Sequence, residues 1–100
     1  MEFGAQLNVY EAQWDDIHTY IQAMEAGRWH SLWLPDHFLP PLSPPEDERL
    51  PAYEAFIPLA GVAGMTKRLK LGSLVLGNTY RNPALVAKMA AELDQASKGR

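Results

Sequence analysis

There is no cysteine among the 100 residues, which excludes a disulfide scaffold and a thiolate metal site. Basic charge is also short. Nine Lys and Arg stand against twelve Asp and Glu, for a net charge of −3. A nucleic-acid binder normally carries a basic face, so that partner is not expected. The amino terminus, Met-Glu-Phe-Gly-Ala-Gln, has no basic segment leading into an apolar run, so no secretory signal is visible. The longest nearly uncharged apolar run, Ala55 to Met65, contains Pro58 and is too short to span a bilayer. Histidines and carboxylates do not fall at zincin or calcium-loop spacing, so no metal is expected. No Gly-x-Ser-x-Gly elbow is present for acyl transfer. These absences lead to an expectation of a soluble, cytoplasmic chain with no membrane partner.

What remains is enough for one domain at most. Hydrophobic residues make up 47% of the chain and include three Trp, sufficient apolar material for a core. Glu2 to Asn8 reads as a first strand, with Phe3, Ala5 and Leu7 on one face. Asn8 to Glu11 is a short connection. A helix follows from about Gln13 to Ala26. Ile17, Tyr20, Ile21 and Met24 recur at i, i+3, i+4 and i+7 as one apolar stripe. Asp15 and Asp16 lie near the positive end of its dipole. Gly27 offers a left-handed residue to close it.

Ser31 to Phe38, Ser-Leu-Trp-Leu-Pro-Asp-His-Phe, organises the rest. Leu32, Trp33 and Leu34 are apolar on both parities, as in a strand covered on both faces. Asp36 and His37 then fall at the strand's carboxyl end, where parallel α/β folds bind ligands. Leu39 to Pro51 is irregular, with five prolines and the charged run Glu46-Asp47-Glu48-Arg49. It reads equally as a proline-stiffened connector or as a binding loop.

A second helix is expected from about Tyr53 to Thr66, with a stripe of Phe56, Leu59, Ala60 and Ala63. Pro58 is tolerated only in a first turn, so the regular part should start between Glu54 and Pro58. Leu69 to Leu76 reads as a third strand, interrupted by Gly72. Asn82-Pro83 supplies a cap followed by proline at the first helical position. The third helix carries Leu85, Val86, Met89, Ala90 and Leu93 and runs out near Ser97-Lys98-Gly99.

The alternation of strand and helix implies an α/β fold with parallel strands and right-handed crossovers. Two architectures fit: three units of a (β/α)8 barrel, or part of an open doubly wound sheet. The first strand-to-helix loop, Asn8-Val9-Tyr10-Glu11-Ala12, lacks the Gly-x-Gly-x-x-Gly of dinucleotide binding. The barrel reading places the strands in the order 1-2-3.

Two stretches can carry chemistry. A histidine at a strand's carboxyl end, His37, can take or give a proton near neutral pH. Its bland alternative is a bond to a backbone carbonyl. Asp36 points the other way along the strand and suits a ligand or the start of a loop. The second stretch is Gly72 to Pro83, Gly-Ser-Leu-Val-Leu-Gly-Asn-Thr-Tyr-Arg-Asn-Pro. Asn78, Thr79 and Tyr80 offer donors and acceptors, and Arg81 a fixed positive charge. Gly72 and Gly77 allow the close backbone approach that a flat ring needs. The same residues also suit an ordinary turn.

Trp33 to Pro41 and Leu71 to Leu85, continued by Ala87-Lys88-Met89-Ala90-Ala91, Leu93-Asp94 and Ser97-Lys98-Gly99-Arg100, resemble the luciferase-like monooxygenase superfamily. More narrowly they resemble its branch of coenzyme F420-dependent oxidoreductases. The resemblance covers essentially the whole chain. It implies the amino-terminal three βα units (residues 1–100) of a TIM barrel roughly three times as long, with the later strands and the phosphate-binding loops absent. It implies His37 as the acid or base near the reactive ring and Asp36 as a cofactor contact. It implies Leu74-Val75 as the site of a non-prolyl cis peptide supporting one face of the ring, with Asn78 and Thr79 bordering it. Relatives that oxidise a sugar phosphate carry Trp where this chain has Pro41.

The function implied is hydride transfer between a small organic substrate and coenzyme F420. A flavin mononucleotide (FMN) monooxygenase is the near alternative. A non-catalytic folding or assembly module is the alternative of another class. Three strands cannot close a barrel of eight. The chain alone is therefore expected to be inactive and to associate, as a homo-oligomer, through exposed sheet edges.

Overall fold

In the computed structural model, residues 1–40 and 52–100 are described. Three short strands form, β1 (Gly4–Gln6), β2 (Ser31–Leu34) and β3 (Lys70–Ser73). Between and after them lie α1 (Trp14–Ala26), α2 (Phe56–Met65) and α3 (Pro83–Ser97). The strands pair in parallel in the order β1-β2-β3, as expected for the first three βα units of a (β/α)8 barrel. Ala5, Leu32 and Leu71 share one register row, and Gln6, Trp33 and Gly72 the next.

Leu32 and Leu34, two residues apart, point to the same side of β2. There they join Val9, Ile17, Ile21 and Met24 from the β1–α1 unit and Leu59, Val62 and Leu69 from the next. The core is therefore the layer between the sheet and α1 and α2. The opposite face holds Trp33, 38% exposed, whose indole Nε1–H donates to Ser31 Oγ at 3.0 Å. So β2 is buried on one face and only half-covered on the other, less than its unbroken apolar run implied.

The strands are shorter than the apolar patterning. Phe3 is exposed rather than facing the core with Ala5 and Leu7. β3 stops at Ser73, whose hydroxyl donates to Leu34 O at 3.1 Å. Beyond it the Leu74–Val75 peptide bond is cis. In α1 the stripe of Ile17, Ile21 and Met24 is buried, but Tyr20, on its edge, is 60% exposed.

Gly27 does not turn left-handed: its φ is −84°. The physical reason lies in β3's approach. Carbonyls at a helix end need donors, and the Arg68 guanidinium supplies them to Met24 and Glu25 and to the following Gly27 and Trp29 carbonyls. Glu25 answers by accepting the backbone N–H groups of Lys67, Arg68 and Leu69 at 2.8, 2.9 and 3.1 Å. Arg100 does the same for α2, donating to the carbonyls of Ala63 and Thr66.

α2 starts at Phe56, so Pro58 falls in the first turn as expected. Val62, not Ala60, completes its buried face. Asn82 Oδ1 accepts the Ala84 N–H at 2.9 Å, and Pro83 opens α3. α3 packs on α2 through half-buried Met89 and Leu93, leaving Leu85 and Ala90 exposed. Among the described residues, no helix is long and apolar enough to cross a membrane. The prolines and charges of residues 41–51 lie outside the described residues.

Candidate functional site at the carboxyl ends of the strands

The residues singled out in the sequence gather where β2 and β3 end. β2 delivers Asp36 and His37 in succession, and the chain's alternation separates them. Asp36 is 3% exposed, whereas His37 faces solvent. Leu74 N–H donates to Leu34 O at 2.8 Å, so the chain leaving β3 runs directly beside the chain leaving β2.

A buried carboxylate is costly unless each of its oxygens is hydrogen-bonded. Asp36 meets that demand with four donors. Oδ1 accepts the Ala55 N–H at 3.2 Å and Arg81 Nη2 at 2.8 Å. Oδ2 accepts the Gly77 N–H at 2.8 Å and Arg81 Nη1 at 2.7 Å. Burial pushes the Asp36 carboxyl upward, but the Arg81 bonds and the two backbone donors outweigh it and hold it below the usual carboxylate range. Arg81 is shifted further upward, chiefly by its bonds to Asp36. It also pairs with Glu54 Oε1 and lies 5.5 Å above the Phe56 ring. Glu54 uses its other oxygen to accept the Ile57 N–H in the first turn of α2 at 2.9 Å.

A carboxylate offers about four acceptor positions, and here the protein's own groups use four. These partners belong to the start of α2 and the loop after β3.

His37 meets Tyr10 edge-on, with ring centroids 5.8 Å apart and planes at 77°. Tyr10 comes from the connection after β1, where Asn8 Oδ1 accepts its N–H, and burial raises its phenol pKa. Phe38 stacks on Tyr80 with centroids 4.1 Å apart. Leu74 and Val75 are 47% and 69% exposed, adjacent apolar side chains open to solvent just past β3. Gln6 Nε2 reaches across from β1 to donate to Leu74 O at 2.8 Å. Asn78 and Thr79 are exposed on the same loop. The structure thus ties the loop carrying Asn78 and Thr79 to Asp36, while His37 sits with Tyr10.

Sequence reasoning missed the partners of Arg81, the contribution of Glu54, and the contacts made by Gln6 and Tyr10. An arginine followed by a helix cap in a strand-to-helix loop was the available signal for the first of these. The others join segments far apart in the chain.

The family model described as luciferase-like monooxygenase matches residues 1–100. The chain is also similar to the F420-dependent glucose-6-phosphate dehydrogenase of Amycolatopsis mediterranei (strain U-32), at 38% identity over 87 residues. That alignment covers 86% of this chain and 25% of the relative, so the chain spans about a quarter of the length of the curated relative it matches.

Proposed function

The chain belongs to the luciferase-like monooxygenase family, and from that membership we propose that it forms part of a coenzyme F420-dependent oxidoreductase. The observation carrying this reading is the exposed aliphatic pair Leu74-Val75, anchored through Leu74 N–H to the carbonyl of Leu34, two residues before Asp36 and three before His37. Exposed apolar surface at a strand's carboxyl end suits one face of a flat ring. The relative's dependence on F420 supports that cofactor over others. When bound, coenzyme F420 supplies a hydride-exchanging carbon, C5 of its deazaflavin.

This chain's own residues would divide the remaining work. Leu74 and Val75 support the ring, and Asn78 and Thr79 border it with donors and acceptors. His37 holds or releases the proton that accompanies oxidation or reduction of the substrate. Asp36 belongs to the site through the loop it fixes. The substrate proposed is a small organic molecule. The relative's sugar phosphate is not carried over, because Pro41 stands where sugar-phosphate-oxidising relatives have Trp.

The family description as a monooxygenase supports one second reading, an FMN enzyme. Titrating the protein with oxidised coenzyme F420 and with FMN separates them. The two ligands have distinct absorption, a single band at roughly 400 nm for the deazaflavin against two for the flavin. Saturable binding of F420 with little FMN binding is expected. The reverse would replace F420 with FMN, and binding of neither would favour an assembly module.

A further inference from the structure

We infer that Arg81 is a positioning residue, holding the Gly77–Arg81 loop and the start of α2 to one buried carboxylate, and so setting where Asn78 and Thr79 stand relative to His37. The two oxygens of Asp36 are used symmetrically. Each takes one backbone N–H and one guanidinium N–H. Oδ1 joins Arg81 to Ala55, at the entry to α2. Oδ2 joins Arg81 to Gly77, so both ends of the segment that carries Asn78 and Thr79 close on a single oxygen.

The planar fork of arginine matches this bidentate demand, which a lysine ammonium does not. Arg81 has no charge left over for a ligand's anion: Asp36 and Glu54 both pair with it, and Phe56 lies under its guanidinium. Its side chain is 9% exposed. Beyond these ties, the loop is held by Tyr80 N–H donating to Gly77 O at 3.3 Å, a weak closure by itself, and by the Tyr80 ring stacked on Phe38, neither of which touches Arg81. Without Arg81, Asp36 keeps two backbone donors and a buried charge lacking its cation. The loop then has reason to open toward water.

The positioning role does not depend on the cofactor. Its effect on binding rests on the proposed F420 site. The test therefore reads both. Amide hydrogen exchange is followed at Gly77 and Ala55 and compared with Thr66, whose N–H donates to Val62 O at the far end of α2. Oxidised coenzyme F420 is then titrated into the same samples. Arg81→Met is expected to speed exchange at Gly77 and Ala55 about tenfold more than at Thr66, and to weaken F420 binding by a similar factor, as loss of a charged hydrogen-bond pair would. Arg81→Lys should recover part of the binding and little of the Gly77 protection.

Should Arg81→Met not fold, Arg81→Lys alone decides, through the ratio of Gly77 to Thr66 exchange. Unchanged exchange at Gly77 relative to Thr66 overturns the proposal. So does weakened F420 binding with the loop fully protected, which would make Arg81 a ligand contact. If wild type does not bind F420 while Gly77 exchange responds as expected, the cofactor reading fails and the positioning role stands.

Discussion

The six-membered ring of Trp33 lies over Gly72, its register partner on β3, and occupies the space a side chain there would need. The indole crosses the helix-free face of the sheet, and a Cβ at Gly4 on β1 would also press on its Nε1. Glycine at position 72 therefore answers a packing demand, not a turn. Gly72→Ala is expected to displace the indole, break the Trp33–Ser31 bond and destabilise the fold by about 1–3 kcal/mol, the usual range for overpacking. Denaturant midpoints for the variant and wild type check this. An unchanged midpoint would mean the indole moves aside freely.

Acid should weaken the fold through two carboxylates. Asp36 and Glu25 both sit below their ordinary values. For Glu25 burial pushes upward and is outweighed by three backbone donors and Arg68. A carboxyl depressed in the folded state stabilises it above the unfolded value, about 4, and loses that contribution as pH falls through the lower folded value. Unfolding midpoints should be level from about pH 7 to 5 and fall below about pH 4. Asp36→Asn should cost about 3 kcal/mol at neutral pH, because it strips a buried cation of its main partner, and should flatten the acid limb. Stability that rises on acidification would contradict this.

The helices, the cap at Asn82 and the alternation of strand and helix were legible because they are local or periodic. The first-turn position of Pro58 and the cap at Asn82 needed only neighbouring residues. The pairing of Asp36 with Arg81 spans 45 positions, and no period reports such a contact. The left-handed turn expected at Gly27 failed for the same reason, because Arg68, from far along the chain, caps α1 instead. The length of β3 was overestimated because apolar residues continue past Ser73 into Leu74, Val75 and Leu76, beyond the last ladder pair, Leu34 with Ser73. The place of Asp36 and His37 just past the end of β2 was legible because they follow an apolar run. Asp36's division of labour appeared only with its four donors in view.

The hundred-residue chain should associate. β1 and β3 are the edges of the sheet among the described residues, and exposed edges recruit further strands. Phe3, Trp33, Leu74 and Val75 add exposed apolar surface, which favours association. Light scattering should show mass rising with concentration. Deazaflavin turnover by this chain should not exceed that of a His37→Ala control. A monomer at all concentrations, or turnover above the control, would contradict the expectation.

The most direct measurement maps where coenzyme F420 lands. Backbone amide shifts are recorded as the oxidised cofactor is added to the protein. The account predicts perturbations at His37, Leu74, Val75, Asn78 and Thr79, with Asp36 and Gly77 following through the loop they share. Perturbations confined to the α2–α3 groove lined by Phe56, Ile57, Met89 and Leu93, or none at the carboxyl ends of β2 and β3, would contradict it.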